Sequence, residues 1–252
     1  MVVERHERKS YLAGMAGAVN TNPEWSTFLG EILAHGPDVN GERKQERSKK
    51  REREIQRAAL RVFARDGISK SRIQDIAAEA GMPVSSLYEY CSSKEELAYI
   101  VPMASLSRFY NEFAVAAADN PTAGGKLRLY LTLAADFARR NPDWARVLYL
   151  EIWPSVLITE SPLRRYLDDY VRILVFLIQQ GALLGEWAAE ENPYELAAIL
   201  NGSVNQIIIT ALLYRRPQNL AKAVESILDR TMSLFRPAAA KKQAKVARLK
   251  RR

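Results

Sequence analysis

The chain has 252 residues, 48% of them hydrophobic and 26% charged, with 37 Lys+Arg against 29 Asp+Glu for a formal net charge of +8. That length and apolar content allow a buried core without disulfide staples. The single cysteine, Cys91, excludes an internal disulfide framework and fits a reducing compartment. With only two histidines, His6 and His35, the usual zinc sites are excluded, and no metal is expected.

The first residues are charged and lack the apolar core of a secretory signal. The most apolar runs, 173–178 and 207–213, are six and seven residues long, whereas a membrane span needs roughly 18 or more. A cytoplasmic chain without a membrane partner is expected.

Charge is unevenly placed. Residues 241–252 carry seven basic side chains and no acid, residues 49–94 hold ten basic and six acidic residues, and residues 143–195 hold four basic and nine acidic ones. A basic N-proximal module, an acidic body and a basic tail follow, although any one charge run is equally well a solvated face.

Strand signals are scarce, because β-branched residues do not alternate with polar ones over useful lengths. Helix starts recur at Asn22-Pro23, Asn120-Pro121, Asn141-Pro142, Ser161-Pro162 and Asn192-Pro193. In each, a capping side chain can accept from an orphan N–H, and proline suits the first helical position. The pattern predicts an all-α chain with helices over 23–34, 48–65, 72–80, 84–90, 94–118, 122–140, 142–153, 162–184, 193–214 and 218–235. Pro102 is expected to kink the fifth. Loop or disorder is expected over 1–22 and 36–47, and a disordered basic tail over 237–252.

The informative stretch is 49–97. Ile55, Ala58, Ala59, Val62 and Phe63 share one helical face, and Gly67 is a C-terminal stop. A short helix follows with Ile73, Ile76, Ala77 and Ala80 inward and Ser71 able to cap it. Gly81-Met82-Pro83 then breaks the chain before a second short helix bearing Leu87. The spacing of Ala77, Gly81 and Leu87 is that of a helix-turn-helix: a small residue for close approach, a glycine for the turn and an aliphatic side chain at the junction.

The run Asp75-Ile-Ala-Ala-Glu-Ala-Gly81, with Ser85-Ser-Leu-Tyr-Glu-Tyr-Cys-Ser-Ser-Lys-Glu-Glu-Leu97, resembles the N-terminal DNA-binding domain of the tetracycline-repressor (TetR) family. The resemblance implies a three-helix head over 48–97 and a helical ligand-binding and dimerisation domain over 98–236. It implies further that the second short helix enters the major groove, with Val84 and Ser85 placed to read base edges. Arg72 and Gln74 could also reach DNA, and Ser71, Ser86, Tyr88, Tyr90 and Lys94 would contact phosphates. Met82-Pro83 replaces the family's usual Val-Ser, so Pro83 sits where a phosphate contact is common. Ser85 replaces a usual glycine, and Cys91 a usual phenylalanine. The basic run 43–53, including Lys50 and Arg51, would lie along phosphates or in the minor groove.

Beyond the head, Leu196, Leu200, Ser203 and Ile207 mark one long helix and Val224, Ile227 and Leu228 the last. These form either a four-helix dimer interface or ordinary packing within the chain. Phe137, Trp144, Leu148, Glu151, Trp153, Tyr170 and Phe176 combine aromatic bulk with a carboxylate, as apolar ligand sites do and as plain cores also do. A carboxylate at Glu151 needs a partner if buried. Within residues 1–47, Trp25, Phe28, Leu29, Ile32 and Leu33 form an amphipathic stripe that could cover the DNA-binding domain, join the dimer interface or bind another protein, with docking on the chain's own dimer favoured.

A ligand-responsive homodimeric repressor of double-stranded DNA, taking a small hydrophobic or amphipathic ligand, is the expectation. A non-specific nucleic-acid-binding or architectural protein using the basic ends is the alternative. Gly-rich phosphate loops and nucleophile motifs are missing, so neither an enzyme nor a cofactor is expected.

Overall fold

In the computed structural model, the described residues are 23–34, 43–155, 163–188 and 192–235, and no strand occurs among them. In chain order they form α1 (Pro23–Ala34), α2 (Arg43–Asp66), α3 (Ile73–Glu79), α4 (Val84–Leu87), α5 (Lys94–Ala117), α6 (Ala123–Arg140) and α7 (Pro142–Arg146). A π-helical turn (Val147–Ile152) continues α7, and α8 (Leu163–Leu183), α9 (Pro193–Tyr214) and α10 (Leu220–Met232) follow. The predicted loop at 1–22 and the basic tail at 237–252 lie outside the described residues.

Two predicted helices change character. Helix α2 starts at Arg43, earlier than expected, because arginine, lysine, glutamine and glutamate favour helix even without an apolar stripe to reveal it. The segment 142–153 is only partly α-helical. From Val147 it widens into a π turn, with Trp153 donating to the Leu148 carbonyl five residues back at 2.8 Å. Helix α5 runs through Pro102 as one element.

The described chain divides into two compact units, one reaching up to Glu112 and including Arg140–Tyr166, the other comprising Phe113–Arg139 and the chain from Leu167. The division falls inside α5, between Glu112 and Phe113.

In the first unit, Ile55, Ala58, Ala59, Val62 and Phe63 of α2 are all essentially inaccessible to water. Complete burial of a large aliphatic or aromatic side chain contributes about 1.5–3 kcal/mol. Helix α3 packs on α2, and Ile76 and Ala77 of α3, Leu87 of α4 and Leu97, Ala98 and Val101 of α5 are buried as well. Helix α7 and the π turn also pack on α2. Trp25, Leu29 and Ile32 of α1 are buried at helical spacing, so the N-terminal stripe is covered. Farther along, the Tyr110 hydroxyl donates to the Tyr166 carbonyl, and Arg140 pairs with Glu112 at 2.6 Å.

In the second unit, α6 is capped twice. Thr122 Oγ1 accepts from the Gly125 N–H at 3.0 Å, and the Glu186 carboxylate accepts from the N–H groups of Ala123 and Gly124 at 2.7 and 2.8 Å. Each such cap is worth about 1 kcal/mol, and the charge of Glu186 also complements the helix dipole. The cap therefore sits two residues after the expected Asn120. Asn192 caps α9 as expected, accepting from Tyr194 N–H, and Asn219 caps α10 by accepting from Lys222 N–H. Phe113, Tyr130 and Tyr170 stack in series, with centroids 4.7 and 4.9 Å apart. Arg128 on α6 binds both Glu225 and Asp229 on α10.

Candidate DNA-binding site

The reading helix is set by two glycines in left-handed conformations. Gly67 (φ +80°) ends α2, its N–H donating to the Phe63 carbonyl at 2.9 Å. Gly81 (φ +64°) ends α3 in a Schellman arrangement, with Met82 N–H on the Ala77 carbonyl and Gly81 N–H on the Ala78 carbonyl. Met82 is buried and closes that turn. Any L-residue at these two positions would be strained.

Helix α4 begins at Pro83, extended and exposed, which occupies the N-cap without a side-chain bond. Four residues long, α4 stops before the expected residue 90, and Tyr88–Tyr90 forms a turn. Leu87 anchors it inward, while Ser85 is exposed and Val84 and Ser86 are half-buried. Tyr88 is 52% exposed and Tyr90 half-buried, so the tyrosines and the α4 hydroxyls leave polar groups at the surface. Gln74 on α3 and Arg72, its N-cap, are exposed, and Arg72 is paired with Asp75 at 3.1 Å. Asp75 also accepts the Arg72 N–H, which caps α3. Lys50 and Arg51 are exposed on α2, with Arg51 pairing to Glu54. Both lie within α2, as the predicted helix over 48–65 has them.

Two expected phosphate ligands face elsewhere. Ser71 is buried, and its hydroxyl donates back to the Gly67 carbonyl at 2.5 Å, leaving the α3 N-cap to Arg72. The Lys94 ammonium donates to the carbonyls of Ile68, Ser69 and Ser71 at 2.8, 3.1 and 2.8 Å. An ammonium has three donors, and here three carbonyls of the α2–α3 turn take them. Lys94 therefore fastens the start of α5 to that turn.

Ion pairs temper the positive charge of the head. Glu79 bridges Arg61 at 2.6 Å and Arg65 at 3.6 Å, and the hydrogen bond from Arg61 holds its carboxyl below the usual carboxylate range. Hydrogen bonds from Arg72 and Arg65 lower Asp75 and Asp66 in the same way. Cys91 is buried, and burial, with Glu96 nearby, pushes its thiol up. It fills core space here and is no exposed thiolate.

The expected ligand-pocket residues fall in both units. Trp144 and Leu148 are buried in the first, where Trp153 is 38% exposed. Glu151 is turned to the head, its carboxylate accepting the Ile68 N–H at 3.1 Å. Phe137 and Tyr170 are buried and Phe176 is half-buried in the second. Tyr149, which the sequence did not single out, is buried beside Trp144, and burial raises its phenol above its usual range.

Of the expected interface residues, Leu200, Val224 and Leu228 are buried within their own unit, so the chain's own packing covers them. Leu196, Ser203, Ile207 and Ile227 are half-buried. The apolar surface left open on α9 is made by Tyr194, Ile199, Leu213 and Tyr214, and a methyl on Gly202 would meet nothing within 4 Å. By length and composition α9 could cross a membrane, and 33% of that stretch is buried. Asn201, Asn205 and Gln206 interrupt its apolar residues, so no long uninterrupted apolar run marks it in the sequence.

A basic helix leading into two short helices at a glycine turn, with a hydroxyl-rich second helix at the surface, defines a helix-turn-helix DNA-binding protein. Residues 55–98 match the profile of bacterial regulatory proteins of the tetR family. The chain is a DNA-binding transcriptional regulator with a tetR-type head. It is 23% identical over 176 residues to the fatty acid metabolism regulator protein of Bacillus subtilis (strain 168), covering 70% of this chain and 91% of the relative. The fold resembles that of the FadR regulator from Bacillus subtilis in complex with stearoyl-CoA, with TM-score 0.66, 22% identity, and coverage of 71% of this chain and 96% of the other. It also resembles the fatty acid degradation regulator FadR from Bacillus halodurans, with TM-score 0.67, 18% identity, and coverage of 72% and 94%.

Proposed function

We propose that the chain is a homodimeric repressor that binds a palindromic operator and is released from it by a long-chain acyl-CoA. The carrying observation is that the resemblance to the fatty acid metabolism regulator extends over 176 residues, far beyond the head. Stearoyl-CoA is the ligand of one similar fold. It joins a long apolar chain to an anionic, polar headgroup, which matches the amphipathic ligand expected from the aromatic residues of the helical body. A dimer would set two α4 helices about one helical turn of DNA, roughly 34–36 Å, apart. A ligand that prefers a different spacing of the heads lowers operator affinity by its differential affinity for the two states.

Fluorescence anisotropy of a labelled duplex from the DNA upstream of the protein's own gene tests this, with stearoyl-CoA, free CoA and a detergent of equal chain length as titrants. Release by stearoyl-CoA alone is expected. Equal affinity for a random duplex would overturn the regulator reading in favour of non-specific binding. Undiminished operator binding at saturating stearoyl-CoA would overturn the ligand.

A further inference from the structure

We infer that Glu151 is a positioning residue for operator recognition, acting on the reading helix through the α2–α3 turn without touching DNA; this rests on the regulator reading above. Three observations within the first unit carry it. Glu151 Oε2 accepts the Ile68 N–H at 3.1 Å across 83 residues of sequence. A Cβ on Gly67 would lie 3.2 Å from Oε2 and 3.4 Å from Oε1 of the same carboxylate. Gly67 thus serves twice, by adopting a left-handed φ and by leaving room for the carboxylate. From the other side, Lys94 holds the carbonyls of Ile68, Ser69 and Ser71. One anion on the N–H side and one cation on the C=O side therefore clamp the same few peptides, each bond strengthened by its charge.

The clamp leads toward DNA. Ser71 N–H and Oγ both return to the Gly67 carbonyl, and the next residue, Arg72, caps α3. Helix α3 delivers Ala77 and Gly81 to the turn that aims α4. At its other end the clamp is rooted in the π turn. Arg146, just before that turn, donates to the Ala64 carbonyl in the last turn of α2 at 3.4 Å. Arg146 and Glu151, at the start and near the end of the π path, both reach the end of α2. Moving to an α path would shift the register by one residue and swing Glu151 about 100° round the axis, off the Ile68 N–H. The conformation of 147–152 and the orientation of the reading helix are thereby linked through one carboxylate.

The test uses the full chain with operator and random duplexes across a salt series, comparing wild type, Glu151→Ala and Glu151→Gln. Glutamine keeps the acceptor oxygen and the length. Losing a hydrogen bond to a charged group should lower operator affinity about tenfold in Glu151→Ala, with random-duplex affinity and salt slope unchanged. Glu151→Gln should stay within about threefold of wild type. Amide exchange at Ile68 should speed up in Glu151→Ala and not in Glu151→Gln. The proposal is overturned if Glu151→Ala binds operator like wild type, if Gln fails as badly as Ala, or if random-duplex affinity falls in parallel. A wild type that does not discriminate operator from random duplex sinks the regulator reading, and the positioning role with it.

Discussion

Trp187 occupies the space in which Gly181 would carry a side chain. A Cβ at residue 181 would fall inside the van der Waals envelope of the indole six-membered ring. The indole N–H donates to the Ile178 carbonyl at 2.9 Å, and the ring meets Phe235 edge-on at 4.7 Å. Glu186, one residue earlier, caps α6. Gly181→Ala should therefore destabilise the second unit by about 2 kcal/mol or more, as overpacking does. It should also shift tryptophan fluorescence to the red. Thermal melts and emission spectra check both, and an unchanged melting temperature would show that the indole can move aside cheaply.

Lys94 separates two roles that sequence resemblance cannot. If the ammonium neutralised a phosphate, Lys94→Ala would flatten the salt slope of DNA binding by about one unit. Because it holds three carbonyls, we expect an unchanged slope and a lower melting temperature, with a cost of about 1–3 kcal/mol for the unmet acceptors. Anisotropy titrations at four or more salt concentrations, alongside calorimetry, distinguish the outcomes.

Ser85 and Val84 lie on α4 with Leu87 holding the helix from beneath. Substituting either should change which operator bases are preferred while leaving the salt slope intact, with an altered base pair worth about 1–3 kcal/mol. Tyr88→Phe removes one exposed hydroxyl and should weaken all duplexes alike. Selection from a randomised duplex pool reads the first effect. An unaltered preference for the Ser85 variants would place the reading surface elsewhere.

Acid should loosen the head before carboxylates in the unfolded chain have fully titrated. Glu96 accepts both the hydroxyl and the N–H of Ser92 at 2.6 Å, and these bonds, the hydroxyl first, hold its carboxyl low. Asp75 and Glu79 are lowered by Arg72 and Arg61. Groups with depressed folded values contribute stability that is present above the unfolded carboxylate range and is lost as pH falls through the folded values. All three are half-buried at the surface, where solvent screens them, so each contribution is small. Urea midpoints should stay flat from pH 7 to about 5 and fall below about 4, and Glu96→Gln should reduce that fall.

Core and pairing surface should part under mutation. Leu228→Ala, at a fully buried site, should cost about 2–5 kcal/mol. Ile199→Arg, at an exposed site, should leave the protomer folded and abolish pairing. Sedimentation velocity with circular dichroism checks this, and an Ile199→Arg dimer would move the pairing surface off α9.

Much of the head was legible because its constraints are local. Glycine at 67 and 81 is required by the turns themselves, and the burial of Ile55, Val62, Phe63 and Leu87 follows directly from their spacing. What stayed hidden depends on contacts distant in sequence. Lys94 looks like a phosphate ligand until three carbonyls from residues 68–71 meet it. Glu151 looks like part of a ligand pocket until Ile68 meets it. The early start of α2 was invisible for another reason: residues 43–49 contain no apolar residue, so hydrophobic periodicity cannot mark them. Likewise Leu200, Val224 and Leu228 have the apolar character of either a core or an interface, and only their inward direction decides. Thr122 and Asn219 carry no Asn-Pro or Ser-Pro signal, because neither precedes a proline.

The inward turn of those leucines bears on how the protein behaves when scarce. A protomer whose α9 and α10 already close their own core need not find a partner in order to fold. It would nevertheless display Ile199, Leu213 and Tyr214 to the surrounding water until one arrives. Dilution would then yield folded but adhesive single copies, so soluble yield should depend on protein concentration in the sense opposite to ordinary aggregation.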